Sequence, residues 1–441
     1  MGGTKKPGEH EVLDPYVPER GDGRYTVTHY DLDLDYKVLT NRLGGRAMLD
    51  VTVLEPTDRL DVDLVGLRVS KVSVGGRAAQ WSHRADRVIV RLPRTFEPGE
   101  ATRVGITYAG APSAARSRWG SIGWEELDDG VLVAAQPSGA ATWFPCNDHP
   151  SDKATYRITI DCDSPYEVVA TGTLTGTRVR GSRTRRAFEQ RQPMASYLAA
   201  VHIGQYQRFE LASQPVRQEV VLPRGLEQAV RADLARQPHM IEVFEELFGP
   251  YPYDAYTVVV TPDELEIPLE ALGMATFGPN WLRGRGEEER LVAHELAHQW
   301  FGNSLTIAAW RDIWLNEGFA CYAEWLWDEA GGGRTAEVAA RHHWARLERL
   351  DQDVVIADPG PDLMFDDRIY KRGALTLHAL RTALGDRDFF DLVREWVSTN
   401  AHGSVTTAAF SDLVAVRLGA GPAESLLDAW LWQDELPPFP G

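Results

Sequence analysis

Two histidines four positions apart, with a glutamate directly after the first, give this sequence its clearest chemical signal. His294, Glu295 and His298 form a His-Glu-x-x-His segment inside an apolar stretch. On a helix, residues four apart lie on one face, so the two imidazoles can bind one metal ion together. Glu295 is rotated by about 100° from His294 and can reach water at the metal as a general base. The spacing therefore predicts a hydrolytic centre with one Zn²⁺ per chain.

A catalytic zinc site takes three protein ligands and leaves one position for water. A third histidine six residues after His298 is excluded, because Ser304 stands there. Glu317 lies 19 residues after His298, within Trp-Leu-Asn-Glu-Gly-Phe-Ala. A carboxylate in such an apolar, aromatic stretch is costly unless it is paired or binds a metal, although a surface glutamate is the alternative. Glu317 is therefore the predicted third ligand.

Helical periodicity surrounds these residues in the second half of the chain. Predicted helices cover residues 287–301 and 313–329, which would carry the three ligands. Other predicted helices cover 226–248, 335–350, 370–384, 387–397, 407–418 and 422–431, with a short buried strand at 257–260. The metal segments thus lie within a mainly helical region.

The first half of the chain follows a different period. Residues 30–36 alternate apolar and acidic side chains, which indicates a half-buried strand, and short segments of the same kind follow as far as residue 174. These segments favour an all-β sandwich or twisted sheet. The predicted organisation is a loose leader over residues 1–22, a β domain over 23–208 and a catalytic domain over 209–441.

Composition narrows the possible partners and the compartment. The chain has 46 basic and 64 acidic residues, giving a formal net charge of −18, which disfavours nucleic acids and anionic membranes as partners. Three cysteines do not suggest a disulfide framework. No signal-peptide pattern or long apolar run occurs, so a cytoplasmic protein is expected. Oligomeric state stays open.

Taken together, the zinc segments resemble the gluzincin peptidases of the aminopeptidase N and leukotriene hydrolase family. His294-Glu295-x-x-His298, followed after eighteen residues by Glu317 in Trp-Leu-Asn-Glu-Gly-Phe-Ala, carries the resemblance. It implies a multidomain α+β protein, in which a β-rich N-terminal domain precedes a thermolysin-like catalytic domain. It also implies a zinc-dependent peptidase that releases N-terminal residues from peptides. The sequence resembles a short form, since no large C-terminal helical domain follows the catalytic helices.

Three further positions match family motifs. Tyr370 resembles the tyrosine that steadies the oxyanion, with a packed core tyrosine as the alternative. Gln136 falls where a Gln or Glu lines the pocket for the first substrate residue, with structural packing as the alternative. Glu270 stands where the family's Gly-x-Met-Glu-Asn glutamate binds the substrate's α-amino group. The Gly, Met and Asn are replaced here, and Glu264 and Glu266 are nearby alternatives.

Glu324 lies seven residues after Glu317 on the same predicted helix face, so it is either a carboxylate orienting a zinc histidine or a surface residue. His342, His343 and His378 lack ligand partners in sequence and are interpreted as structural. Two other functions stay open. The site of a short form can be more accessible, which favours an endopeptidase or generalist metallopeptidase. A non-catalytic binding or assembly module would require a lost ligand or base, and none is lost.

Overall fold

The computed structural model describes residues 13–440, and the strands of its first half follow from the alternating pattern of the sequence. In the first of them, the apolar side chains Leu32 and Leu34 are fully buried, while Asp33 and Asp35 face solvent. The strands are β1 Tyr25–Lys37, β2 Arg42–Val53, β3 Thr57–Asp63, β4 Arg68–Val74, β5 Arg77–Ala78, β6 Trp81–Arg84, β7 Arg87–Phe96, β8 Ala101–Gly110, β9 Ala115–Ser117, β10 Gly120–Leu127, β11 Gly130–Ala134, β12 Lys153–Asp163, β13 Glu167–Ala170, β14 Thr173–Arg180, β15 Arg183–Ala195 and β16 Val201–Gly204.

These strands form three sheets around one buried core. The largest has the order β14-β15-β12-β1-β2-β8-β4-β5, with β1 antiparallel to β2 and parallel to β12. A second sheet has the order β13-β16-β11-β10-β9, and a third joins β3, β7 and β6. The predicted β-rich N-terminal domain is confirmed.

The elements of the second half are mainly helical. The helices are α1 Glu227–Asp233, α2 Gln237–Phe248, α3 Glu289–Ala297, α4 Trp314–Ala330, α5 Ala336–Leu347, α6 Asp367–Leu384, α7 Asp386–Thr399, α8 Thr407–Leu418 and α9 Ala420–Leu427. The strands are β17 Tyr206–Ala212, β18 Arg217–Pro223, β19 Ala255–Val260, β20 Leu269–Ala271, β21 Met274–Phe277, β22 Thr306–Ile307 and β23 Ser404–Val405. The predicted succession of a β domain and a mainly helical domain is confirmed.

The helical half has a five-stranded sheet of its own, with the strand order β17-β18-β19-β21-β20. The change of sheet therefore falls between residues 204 and 206, and the predicted division at 208/209 lies inside β17. The predicted helix over 226–248 is two helices, because Pro238 stands in the first turn of α2 and has no amide hydrogen to donate to a continuous helix.

The predicted loose leader is wrong for residues 13–22, which we call the N-terminal strap; residues 1–12 lie outside the described part. Asp14, Tyr16 and Val17 of the strap are at most 6% exposed. Asp14 Oδ2 accepts a hydrogen bond of 2.8 Å from the backbone nitrogen of Trp310. Polar composition suggested a mobile segment, but buried partners from the helical domain satisfy these polar groups.

Lys153 of β12 also connects the two domains. Its ammonium donates hydrogen bonds of 2.8 Å to the carbonyl oxygen of Ser304 and 3.0 Å to that of Gly403. Both acceptors belong to the helical domain, so Lys153 joins the β domain to the segment after α3 and to the residue before β23. Among the described residues, no helix is long and apolar enough to cross a membrane.

Candidate metal centre

Helices α3 and α4 bring the three predicted ligands together. Glu317 Oε2 lies 3.4 Å from the Nε2 atoms of both His294 and His298. A tetrahedral site with bonds of about 2.0–2.1 Å places its ligand atoms about 3.3–3.4 Å apart. The three side chains are at most 10% exposed. Their spacing and donor types therefore fit one Zn²⁺ ion, and no other such group occurs among the described residues.

Hydrogen bonds at the far side of each imidazole orient both histidines. His294 Nδ1 donates to Glu324 Oε1 over 2.8 Å, and His298 Nδ1 donates to the carbonyl oxygen of Phe301 over 3.0 Å. A proton on Nδ1 leaves the Nε2 lone pair free for a metal. Both Nε2 atoms accordingly face Glu317.

Glu324, which the sequence left as either an orienting carboxylate or a surface residue, is buried at 4% exposure against His294. Arg290 donates to its Oε2 over 3.1 Å, and Lys371 Nζ lies 4.0 Å away. Burial opposes ionisation of Glu324, but the charges of Lys371, His294 and Arg290 lower its pKa to about 2. The carboxylate is thus held charged as an acceptor.

We expect Glu324→Gln to weaken zinc binding by roughly 10- to 100-fold, the usual cost of removing a carboxylate partner from a ligating histidine. Competition with a fluorescent chelator measures this directly. Glu337→Gln is the matched control. Glu337 Oε2 accepts a hydrogen bond of the same length, 2.8 Å, from Nε2 of His378, which is not a metal ligand. Equal zinc affinities in the two variants would contradict the orienting role.

Glu295 lies on α3 beside the ligands and is 4% exposed. Its Oε2 atom accepts no hydrogen bond from any described residue. Burial raises its pKa, although the charges of His294 and His298 oppose this. A carboxylate with a raised pKa accepts a proton more readily than a solvated one, so its position and environment suit a general base.

Tyr370 projects from α6 toward the same centre. Its ring is stacked at 6.0 Å from the His294 ring, with 18° between the planes. Burial and the charges of Glu317, Glu270 and Glu295 raise the pKa of Tyr370 well above its ordinary value. The phenol therefore keeps its proton and can donate a hydrogen bond.

Glu270 and Gln136 meet at the edge of the centre, one from each domain. Gln136 Nε2 donates to Glu270 Oε1 over 2.8 Å. Burial raises the pKa of Glu270, and the nearby charge of Glu317 adds to the rise while His298 opposes it. The alternatives Glu264 and Glu266 lie on an exposed loop before β20. Of the three glutamates, Glu270 shares the site.

Models of known protein families match both domains of the chain. A model described as the peptidase family M1 domain matches residues 232–430, and one described as the peptidase M1 N-terminal domain matches residues 26–198. The chain belongs to peptidase family M1. Its relatives include a leucyl aminopeptidase of Saccharolobus solfataricus, 26% identical over 86% of the chain, and leucine aminopeptidase 2-1 of Meyerozyma guilliermondii, 27% identical over 98%.

The chain spans about half the length of several curated M1 relatives, with 50% of the Saccharolobus protein and 73% of the Meyerozyma protein covered. A crystal structure of an M1 zinc metallopeptidase from Deinococcus radiodurans matches almost end to end. The two share 34% identity with a TM-score of 0.90, over 98% of this chain and 99% of the other. A variant of that enzyme has been solved with the substrate Tyr-Ser-Ala.

Sequence reasoning missed four polar residues of this M1 site. Arg290 and Lys371 hold Glu324, as described above, while Gln299 and Asn303 bond the backbone beside Glu270. The sequence did hold a signal for Gln299 and Asn303. They are polar residues one and five positions after His298 in an apolar stretch, and buried polar groups need hydrogen-bond partners. The histidines interpreted as structural, His342, His343 and His378, join no metal group among the described residues.

Proposed function

We propose that this chain is a zinc aminopeptidase that removes single residues from the amino termini of peptides. One observation carries the proposal: the half-buried carboxylate of Glu270, bonded by Gln136, lies beside the histidine–glutamate centre, where its charge acts on His298. An anion at a fixed place beside a hydrolytic centre recognises a peptide by its terminal ammonium group. The names of the M1 relatives support the same activity.

Hydrolysis requires a nucleophile, a proton carrier and a place for negative charge. Zinc, when held by His294, His298 and Glu317, supplies the positive charge that acidifies water and polarises the scissile carbonyl. Glu295 takes the proton of the attacking water and returns it to the leaving amine. Its unpartnered Oε2 atom and the rise in its pKa on burial support both transfers.

Tyr370 and the Glu270–Gln136 pair act on the substrate. The Tyr370 hydroxyl donates a hydrogen bond to the carbonyl oxygen as that oxygen becomes negative, which stabilises the transition state more than the bound peptide. Glu270 accepts hydrogen bonds from the α-ammonium group. Because Gln136 fixes one oxygen of Glu270, the carboxylate holds the ammonium at a constant distance from the metal centre, and cleavage falls after the first residue.

We expect Glu270→Ala to lower kcat/KM for aminoacyl amides with a free amino group by roughly 10²- to 10⁴-fold, because an ammonium buried without its anion costs about 3–5 kcal/mol. N-acetylated amides, which carry no ammonium, should lose little. The ratio of kcat/KM for free and acetylated substrates is the measurement, and Glu266→Ala on the exposed loop is the control.

The same comparison of free and N-acetylated substrates distinguishes the alternative functions. An endopeptidase or generalist metallopeptidase would hydrolyse acetylated and free substrates equally well in the unsubstituted protein. A binding or assembly module would hydrolyse neither. Zinc determination by mass spectrometry accompanies the assays, so that a low rate is not mistaken for a missing metal.

A cytoplasmic location is also proposed, with peptides as substrates and without nucleic-acid or membrane partners. All three cysteines are free and buried, which suits a reducing compartment. Fractionation of native cells with an antibody to the chain tests the location. Recovery outside the cytoplasm would overturn it.

A further inference from the structure

Strand β20, which carries Glu270, is short and pairs with another strand on one side only. β20 spans three residues, Leu269–Ala271, and lies at the edge of its sheet with β21 as its one neighbour. Glu270 pairs with Ala275 across that ladder. Short edge strands are the parts of a sheet that open most readily, because one side of their backbone has no partner strand. Recognition of an ammonium group nevertheless needs a fixed carboxylate.

The side-chain amides of Gln299 and Asn303, which follow His298 in the chain, form hydrogen bonds with the backbone of residues 271–274. Gln299 Nε2 donates over 3.3 Å to the carbonyl oxygens of both Ala271 and Met274, and its Oε1 accepts from the Gly273 nitrogen over 2.8 Å. Asn303 Nδ2 donates to the Ala271 carbonyl oxygen over 2.9 Å. Both side chains are fully buried. Four hydrogen bonds thus join the turn that follows α3 to the β20–β21 hairpin.

Every one of these bonds ends on a backbone atom of the hairpin. They do not depend on which side chains flank Glu270, so the replaced Gly, Met and Asn of the family signature leave them intact. The Ala271 methyl group packs instead in an apolar cluster with Val169 and Ala200 of the β domain and Val221 of the helical domain. An asparagine amide at that position would be buried among apolar side chains.

We infer that Gln299 and Asn303 are positioning residues for Glu270: they fix the carboxylate relative to the metal ligands through the hairpin backbone. The inference rests on the proposed function for its catalytic consequence, while the holding of the hairpin is a property of the fold. Glu270 therefore keeps its place although the signature around it has changed.

Gln299→Met tests this with an isosteric side chain that cannot form the three bonds. We expect KM for a free aminoacyl amide to rise roughly 10-fold with kcat within about threefold, because ground-state and transition-state binding are lost together. Zinc content should stay at one per chain. Deuterium uptake of peptides spanning residues 267–277, followed by mass spectrometry, should become faster.

Gln237→Met is the matched control, since Gln237 is equally buried and bonds Gln218 Oε1 over 3.0 Å without touching the hairpin. It should change neither KM nor uptake at 267–277. Asn303→Leu, which removes a single bond, gives a smaller rise in both quantities and replaces Gln299→Met should the latter not fold.

Two results would overturn the inference: unchanged uptake at residues 267–277 in Gln299→Met, or faster uptake with an unchanged KM. Failure of the proposed function looks different. In that case the unsubstituted protein shows no preference for free over acetylated substrates and Glu270→Ala has no effect, while the exchange measurement still decides whether Gln299 holds the hairpin.

Discussion

Glu295→Gln should reduce kcat by roughly 10²- to 10⁴-fold, the range expected when a general base is removed from a proton-transfer step. The amide has the same shape but cannot accept the proton of the attacking water. Because Glu295 is not a metal ligand, zinc content and the unfolding temperature should stay close to those of the unsubstituted protein. Steady-state rates on a free aminoacyl amide, with zinc determined on the same samples, provide the measurement.

Glu289→Gln is the control for this substitution. Glu289 is the first residue of the same helix, and its carboxylate lies 3.0 Å from the guanidinium of Arg236, which is not part of the metal centre. Its rate should change by less than about twofold, as expected for a part-exposed ion pair. Full activity in Glu295→Gln would assign the proton transfer to another group and would leave the buried, unpartnered Oε2 atom without a role.

Glu317→Gln is expected to weaken zinc binding by about 10³-fold, a larger loss than the roughly 10- to 100-fold expected for Glu324→Gln, because it removes a charged ligand. The loss also appears in stability. At free zinc 1,000-fold above the dissociation constant of the unsubstituted site, binding stabilises that protein by about 4.1 kcal/mol. A site 10³-fold weaker gains about 0.4 kcal/mol at the same concentration.

Thermal unfolding with and without zinc, after removal of metal by a chelator, measures this difference. Glu324→Gln should fall between the unsubstituted protein and Glu317→Gln. Zinc-dependent stabilisation that survives in Glu317→Gln would contradict the ligand assignment and would point to Glu270 or Glu295, two further carboxylates whose charges act on His298.

The metal site was the most predictable part of the molecule, because its signal is local. His294 and His298 are one helical turn apart, so their shared face needed no knowledge of the fold. Glu317 required only a second helix packed against the first, and aromatic neighbours indicated its burial. The orientation of His294 by Glu324 was not decidable from spacing, since a residue seven positions after Glu317 can face either a ligand or solvent.

Contacts between distant segments could not be read in the same way. The parallel pairing of β1 with β12 joins residues such as His29 and Thr155, and alternation alone does not reveal a partner strand. The polar strap over residues 13–22 looked like a leader because its partners lie far along the chain, from Asp63, 42 positions after Gly21, to Asp358, 342 positions after Tyr16. Similarly, the bonds from Gln299 to the β20–β21 hairpin depend on how the segment after α3 packs against that hairpin, which the sequence alone does not show.

The strap and Lys153 have a consequence for the order in which the protein is made. Tyr16 bonds Asp358, 342 positions further on, and Lys153 bonds the carbonyl oxygen of Gly403, 250 positions further on. At about 5–20 residues per second, the ribosome takes roughly 13 to 50 s to add the residues between Lys153 and Gly403. The β domain of a nascent chain can fold during that time, but the joint between the domains forms only afterwards. A site that takes Gln136 from one domain and Glu270 from the other is therefore assembled later than the β domain itself.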